Sequence, residues 1–300
     1  MMRRGMKPGH AFVAPAAIAI GVFFFIPALA SLLLSFTDFD IYAVADLGRL
    51  RFVGLANYAR LLGEARFWTA LWNTLYFVFI GGPLSVAVSL GAALLVNARV
   101  VRLKPVFRMI FFLPVVTTLV AVAVVWRYLY HPRHGLLNLM LAWIGIGPID
   151  WLGDRFWAMP AIILMAVWKN FGFNMIIFLA GLQSIPERLY EAARLDGANS
   201  WQQFRGVTLP MLRPTFLFVA VMTMIGYCQL FAEPYVMTQG GPAGATLSLV
   251  LLMYEEGFRW WNMGYAAALA FTLFVLMLLF TLVQLRLRSA NETTPGVGRA

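Results

Sequence analysis

Charge, cysteine and lysine are scarce in this chain of 300 residues. Charged side chains make up 12% of it, hydrophobic residues make up 61%, and the mean hydropathy is +0.78. These proportions exclude an ordinary soluble domain and indicate a protein that lies in a lipid bilayer. The single cysteine, Cys228, can form no intramolecular disulfide. None of the three lysines, Lys7, Lys104 and Lys169, stands in a Gly-x-x-x-x-Gly-Lys-Ser/Thr motif, so we do not expect this chain to hydrolyse ATP.

Long hydrophobic runs make up much of the sequence. A transmembrane helix needs about 20 mostly apolar residues, and lipid offers the backbone no other hydrogen-bonding partner. We therefore predict an all-α, polytopic membrane protein with six transmembrane helices, at about residues 11–35, 69–96, 107–130, 158–181, 215–237 and 263–285. The predicted transmembrane domain covers residues 11–287, between an N-terminal tail, 1–10, and a C-terminal tail, 288–300.

The distribution of basic residues predicts the orientation. The segments on the side of the two termini carry 14 lysines and arginines, and the segments on the opposite side carry seven. By the positive-inside rule, both termini are expected in the cytoplasm. This topology also explains the net charge of +10 without a nucleic-acid partner. The first apolar run continues past its small residues, Ala28-Leu29-Ala30, so we expect a lasting span and not a cleaved signal peptide.

The loop between the fourth and fifth predicted spans, residues 183–213, differs from the other connections. Ser184-Ile185-Pro186-Glu187 has the pattern of a capping box, which predicts the start of a helix. Gly197 tolerates the left-handed conformation at a helix end, and Ser200 offers a second N-cap before Pro210. We call this predicted helix, turn and helix the knob. It suits the transfer of motion from a partner protein, although a solvated connector lying on the lipid surface is the alternative.

The knob resembles the cytoplasmic motif of the permeases of binding-protein-dependent ABC importers. In that motif Glu-Ala-Ala is followed after three residues by Gly and, nine residues later, by Ile-x-Leu-Pro. Val207 replaces the isoleucine here, and the matching residues are Glu191, Ala192, Ala193, Gly197, Leu209 and Pro210. The chain is similar to that family over nearly its whole length, and it looks most like carbohydrate-type permeases such as the maltose and glycerol-3-phosphate uptake subunits.

The resemblance implies a permease subunit in the bacterial or archaeal cytoplasmic membrane. Such a subunit pairs with a second homologous permease, binds a pair of cytoplasmic ABC ATPases and receives solute from an extracytoplasmic solute-binding protein. ATP and Mg would bind the partner ATPase, so this chain is expected to hold no cofactor and to be no enzyme. ATP binding by the partner would close the ATPase pair, drive the knob inward and tilt the attached spans toward an outward-facing pore, and hydrolysis would reset them. The ATPase-coupling residues implied by the motif are Glu191, Ala192, Ala193, Asp196, Gly197, Leu209 and Pro210.

Two ionisable residues are predicted at membrane depth. An unpaired charge there costs roughly 2.5–3.5 kcal/mol, so Lys169 and Glu233 either pair with each other or line a substrate path. Nearby amide and aromatic groups suit the hydroxyls and apolar faces of sugars, or else they hydrogen-bond neighbouring helices. The candidate substrate-path residues are Lys169, Asn170, Asn174, Tyr227, Gln229 and Glu233. The glycines Gly172, Gly181 and Gly226 are expected to be helix-packing or kink positions and not ligand contacts.

Other functions remain open at this point. Within the family, the substrate could be glycerol-3-phosphate or another polyol derivative, and an anionic substrate would make Lys169 or Arg127 a pathway residue. An ion-coupled secondary transporter is the alternative from a different class, but it would need more intramembrane carboxylates and paired half-helices. His131 and His134 lack cysteine or carboxylate neighbours in the sequence, so we expect no metal site and no catalytic residues. Trp68 and Trp72 suit the headgroup zone of the membrane.

Overall fold

The computed structural model describes residues 8–45, 48, 50–98 and 100–292, and none of these residues forms a β-strand. The predicted all-α fold is therefore confirmed. Most of the two predicted tails, 1–10 and 288–300, lies outside the described residues. The last helix continues to Glu292, beyond the predicted end of the transmembrane domain at residue 287.

The described helices are joined mostly by short connections. In chain order they are Pro8–Ile20, Gly21–Phe25, Ile26–Leu34, Ile41–Ala45, Ala56–Gly63, Ala65–Tyr76, Phe77–Gly81, Gly82–Asn97, Lys104–Val116, Leu119–Leu129, Leu136–Trp143, Ala158–Gln183, Glu187–Leu195, Ser200–Gln203, Phe204–Thr208, Leu209–Met211, Arg213–Cys228, Ala232–Met237, Leu249–Tyr254, Glu255–Arg259 and Met263–Glu292. The five-residue segments that begin at Gly21, Phe77, Phe204 and Glu255 are π-helical.

Four continuous helical stretches are long and apolar enough to cross a membrane. They are Phe12–Leu34, Ala65–Asn97, Ala158–Gln183 and Met263–Arg286, and we call them the first, second, fourth and sixth spans. The third predicted span corresponds to a bent helix pair, and the fifth begins with the second helix of another bent pair, Ser200–Met211 with Arg213–Cys228. The described chain thus has four to six spans, and it has six when each bent pair crosses the membrane once.

The third span is broken, so the prediction of one continuous helix over residues 107–130 is wrong. Lys104–Val116 and Leu119–Leu129 meet at an angle of 97°. Pro114 has no N–H to donate within the last turn of the first helix, and Thr117 and Thr118 then adopt extended conformations. The hydroxyl of Thr117 donates to the Pro114 carbonyl oxygen at 2.6 Å, which stabilises the end of the first helix.

The fifth span ends earlier than predicted. Its helix is Arg213–Cys228, whereas the hydrophobic pattern predicted residues 215–237. Pro234 cannot donate a backbone hydrogen bond, so the helix is interrupted and a separate short helix follows, Ala232–Met237. The hydroxyl of Ser248 donates to the carbonyl oxygen of Leu230 at 2.5 Å within this interruption. Glu233 therefore lies in the first turn of the short helix and not in the fifth span.

The chain divides into two compact units. The first unit comprises residues 1–67 and 252–274, and the second comprises residues 68–251 and 275–300. Within the first unit, ion pairs connect segments that are distant in sequence, among them Arg66 with Glu255 at 2.6 Å. The hydroxyl of Tyr265 donates to Glu64 at 2.6 Å in the same unit. These contacts involve residues on either side of the long insertion that separates the two parts of the unit.

The second unit has a hydrophobic core formed by its second, fourth and fifth spans. We call this set of buried residues the core cluster: Val86, Ala93, Val96, Met175, Phe178, Leu179, Leu182, Ile185, Leu212 and Val219. A Cβ atom on Gly172 would overlap the backbone oxygen of Phe111, and one on Gly181 would lie 2.7 Å from the hydroxyl of Thr215. Both glycines are packing positions, as predicted. Gly226 is not, because a Cβ atom there would meet nothing within 4 Å.

Candidate functional site

The first helix of the knob is Glu187–Leu195, and it starts without the predicted capping box. Ser184 still belongs to the end of the fourth span, where its hydroxyl donates to the carbonyl oxygen of Gly181 at 2.8 Å. Pro186 is the N-cap residue in an extended conformation, and its side chain can accept no hydrogen bond. An ion pair of 3.1 Å between Glu187 and Arg194 links the two ends of this helix.

Gly197 ends the first helix of the knob, as predicted. Its φ is +78°, in the region that glycine adopts without steric cost. The N–H of Ala198 donates to the carbonyl oxygen of Ala193 at 2.9 Å, which satisfies a backbone acceptor at the helix end. The sharp turn of the knob therefore depends on a conformation that most other residues avoid.

The second helix of the knob is capped one residue earlier than predicted. Asn199, and not Ser200, is the N-cap: its side-chain oxygen accepts from the N–H of Gln202 at 2.9 Å, and the side chain of Gln202 accepts from the N–H of Asn199 at 2.8 Å. The helical stretch then runs to Met211 and bends by 66° into the fifth span. The proline that the sequence marks as disruptive, Pro210, lies in the last turn before this bend.

The knob is attached firmly to the spans of the second unit. The hydroxyls of Tyr190 and Thr208 are 2.9 Å apart and connect its two helices. Tyr190 and Val207 pack against the core cluster, to which Leu212 belongs with an exposed fraction of 1%. The knob therefore packs against residues of the second, fourth and fifth spans.

The predicted coupling residues lie on the surface of the knob. Gly197 forms the turn, and the other six surround the turn or the bend. None of the seven is buried: Glu191, Ala192, Asp196, Gly197 and Leu209 are exposed, and Ala193 and Pro210 are half-buried. Two further side chains escaped the sequence analysis. Leu195 is 89% exposed and Trp201 is 67% exposed, one on each side of the turn. Apolar residues that flank an Asp-Gly turn are the signal that could have revealed them.

A cavity of about 510 Å³ brings together five of the six predicted substrate-path residues. These are Asn170, Asn174, Tyr227, Gln229 and Glu233, from the fourth span, the fifth span and the segment that follows it. Phe77, Phe173 and Phe231 also line the cavity, although the sequence did not single them out. The cavity thus combines flat apolar surfaces with amide, hydroxyl and carboxyl groups, as a site for a hydroxylated solute requires.

The polar groups of the cavity differ in their hydrogen bonding. The side chain of Asn174 donates to the hydroxyl of Thr223 at 2.9 Å, so part of its capacity is used within the protein. The hydroxyl of Tyr227 is buried near Ser85 and Asn170 without completing a hydrogen bond to any residue in the described ranges. Buried polar atoms usually have a partner, so this hydroxyl keeps an unused capacity for a hydrogen bond.

Lys169 does not line the cavity, and here the structure departs from the predicted site. Its side chain is 8% exposed, and its Nζ donates to the backbone oxygen of Val115 at 3.0 Å. Lys169 and Glu233 are both described, and no ion pair joins them. The break in the third span supplies the carbonyl partner of Lys169, because Val115 lies in the last turn before the break. The ammonium group thus has one hydrogen bond to the backbone, and Glu233 acts on it only through a longer-range electrostatic attraction.

Comparison with known proteins shows where the chain belongs. The profile of the family described as "binding-protein-dependent transport system inner membrane component" matches residues 85–290. The lactose transport system permease protein LacF of Rhizobium radiobacter is 38% identical over 281 residues, which cover 92% of each chain. The trehalose/maltose transport system permease protein MalF of Thermococcus litoralis is 34% identical over 286 residues, which cover 94% of each chain.

Solved structures share the fold. A chain of a bacterial alginate ABC transporter, crystallised in complex with an alginate pentasaccharide-bound periplasmic protein, superposes with a TM-score of 0.78 at 24% identity, and 96% of each chain is covered. At this identity the likeness concerns the fold alone. Family profile, relatives and fold agree, and the chain therefore belongs to the family of binding-protein-dependent transport system inner membrane components, as a multi-pass permease subunit of an ABC importer in the cytoplasmic membrane.

Proposed function

We propose that this subunit forms part of the translocation path for a neutral sugar or oligosaccharide, and that its knob couples that path to a separate ATPase. Support for the substrate class comes from relatives whose names specify lactose, arabinooligosaccharides and trehalose or maltose. The single observation that carries the coupling proposal is the knob itself, a two-helix element with an exposed turn and a base that packs into the core cluster.

The cavity favours a neutral solute over an anionic one. Among the described residues that line it, Glu233 is the only acidic one, and the lining includes no lysine or arginine. A carboxyl group there would exchange hydrogen bonds with sugar hydroxyls, whereas the lining offers no positive charge to a phosphate. Arg127, which an anionic substrate would need, donates instead to the backbone oxygen of Val236 at 3.3 Å. Glycerol-3-phosphate is therefore the less suitable substrate.

The coupling role is assigned to the exposed surface of the knob. Glu191 and Asp196 would form polar contacts with the ATPase, Ala192 and Ala193 would allow close approach, and Gly197 would shape the turn. Leu209 and Pro210 would fix the base of the second helix. We add Leu195 and Trp201 to this surface, because the burial of such exposed apolar side chains against a partner would stabilise the complex.

The partners follow from this arrangement. The knob would bind one of two ATPase subunits on the cytoplasmic side, with both termini of this chain on the same side. A second homologous permease would complete the path, and a solute-binding protein would deliver the sugar on the opposite side. ATP and Mg would be held by the ATPases, whose closure on binding ATP would push the knob and rock the attached spans as a rigid body.

Replacement of Leu195 by serine tests the coupling surface. We expect L195S to reduce the amount of ATPase that co-purifies with the membrane complex and to lower solute-stimulated ATP hydrolysis severalfold, because full burial of a leucine side chain contributes about 1.5–3 kcal/mol. L136S is the matched control, since Leu136 is 48% exposed and lies in the segment before the fourth span, whereas the knob follows that span. Equal behaviour of the two variants would contradict the assignment.

Replacement of Tyr227 by phenylalanine tests the cavity. The variant removes only a hydroxyl that completes no hydrogen bond with any of the described residues, so we expect its thermal stability to be retained. Loss of one hydrogen bond to the solute, worth about 0.5–1.5 kcal/mol, should lower the rate of sugar uptake by up to about tenfold. Y128F is the control, because Tyr128 is 74% exposed and does not line the cavity. Uptake by Y227F equal to that by Y128F would refute a role of the hydroxyl.

A further inference from the structure

A second cleft, separate from the proposed solute cavity, opens on the side of the second and fourth spans opposite to the knob. Its volume is about 520 Å³. Trp68, Trp72 and Tyr76 form one wall, and because they are four residues apart they lie on one face of the second span. Their exposed fractions are 51%, 68% and 36%. Three large aromatic side chains thus form an exposed stripe along the end of a span.

The orientation of this stripe is fixed by the neighbouring residue Asn73. The side chain of Asn73 donates to the carbonyl oxygens of Gly244 at 2.8 Å and of Leu247 at 3.0 Å. These two hydrogen bonds anchor the helix face beside the stripe to the loop that follows the fifth span. Trp68 and Trp72 are consequently presented to the cleft by a helix whose rotation about its own axis is held in place.

The length of the second span places the cleft at the level of lipid headgroups. Ala65–Asn97 contains 33 residues, and at 1.5 Å per residue it is about 50 Å long. The hydrocarbon core of a bilayer is only about 30 Å thick, so both ends of this helix extend into the interfacial region. Trp68 and Trp72 lie within its first three turns, and tryptophan and tyrosine prefer that depth.

One positive charge lies in the same cleft. Arg155 is exposed, and its guanidinium group forms no ion pair or hydrogen bond with any residue in the part of the chain that the structure describes. The neighbouring carboxylate of Asp154 accepts from the N–H of Phe156 at 2.7 Å, and Phe156 forms the wall beside Arg155. A guanidinium group binds phosphate through two parallel hydrogen bonds. The positive charge of Arg155 therefore matches the phosphate of a phospholipid. The flat apolar walls, at this depth in the membrane, match the glycerol and the first methylenes of its acyl chains.

We propose that this cleft binds one anionic phospholipid in the leaflet opposite to the knob. Arg155 would bind the phosphate, and Trp68, Trp72 and Phe156 would contact the glycerol and the first methylenes of the acyl chains. Neither a neutral sugar nor an apolar helix of a partner subunit would make use of the charge of Arg155. This site is independent of the proposed solute cavity, so the two proposals can fail separately.

Native mass spectrometry of the purified, assembled transporter tests the proposal, with phosphatidylglycerol as the probe. We expect R155Q to bind this lipid about fivefold more weakly, which corresponds to about 1 kcal/mol at 1.4 kcal/mol per tenfold change. R155K should bind the lipid with intermediate affinity, because it keeps the charge but cannot form the two parallel hydrogen bonds of a guanidinium group. R133Q is the matched control, since Arg133 is an exposed arginine on the same side and outside the cleft.

The choice of probe separates the possible occupants. Phosphatidylcholine with the same acyl chains should bind more weakly than phosphatidylglycerol, and free glycerophosphate should not displace the lipid. The proposal is overturned if R155Q and R133Q bind the lipid equally or if the two lipids bind equally well. It is also overturned if the assembled transporter binds no phosphatidylglycerol at this cleft because a partner subunit covers it.

Discussion

Substitution of Gly197 is the sharpest test of how the knob is built. The residue has a φ of +78°, and a Cβ atom there would meet nothing within 4 Å, so the backbone conformation is the only cost of adding a side chain. For an ordinary residue the left-handed conformation costs about 1–2 kcal/mol, whereas asparagine adopts it more readily. Such a cost lowers the population of the native turn by a factor of about 5–30.

We expect solute-stimulated ATP hydrolysis by the reconstituted transporter to fall in the order wild type, G197N, G197A and G197V, because a β-branched residue is least tolerant of positive φ. G206A is the control: Gly206 lies on the same knob in a helical segment, and a Cβ atom there also meets nothing within 4 Å. The reasoning is refuted if G197N couples as poorly as G197V, or if G206A loses as much activity as G197A.

Two further substitutions test the scaffold. G172A should lower the free energy of unfolding by about 1–3 kcal/mol, because the added methyl group would overpack against the backbone of Phe111. G91A is the control and should show no loss in thermal unfolding, since a Cβ atom there meets nothing within 4 Å. Equal melting temperatures for the two variants would contradict the packing. N138A should cost about 1–3 kcal/mol, because the buried Asn138 side chain hydrogen-bonds both backbone groups of Ile149 and the indole N–H of Trp151; an unchanged unfolding midpoint, followed by tryptophan fluorescence, would disprove this role.

Local patterns in the sequence were sufficient for much of this structure. Hydrophobic runs located the four continuous spans among the described residues, because lipid leaves the backbone few alternatives to a helix. The turn at Gly197 was predictable for a similar reason, since few residues tolerate its conformation. Five of the six candidate substrate-path residues meet at one cavity, since amide and carboxyl groups are rare enough in these segments to mark a polar face.

The remaining features depend on contacts that no local pattern encodes. Pro114 is visible in the sequence, but prolines are tolerated in many membrane helices, so the 97° break could not be inferred from it alone. The partner of Lys169 is a carbonyl group released by that break, which explains why pairing with Glu233 looked attractive beforehand. The shift of the second N-cap from Ser200 to Asn199 reflects competition between two neighbouring residues that are both good caps.

We expect this permease to move solute only when an ATPase acts on its knob. The most direct measurement is sugar uptake into proteoliposomes that contain this subunit with its partner permease, the binding protein and the ATPase, compared with proteoliposomes that contain this subunit alone. We expect accumulation only in the complete system and only with ATP on the side of the knob. Accumulation by the isolated subunit, driven by an ion gradient without ATP, would contradict the account.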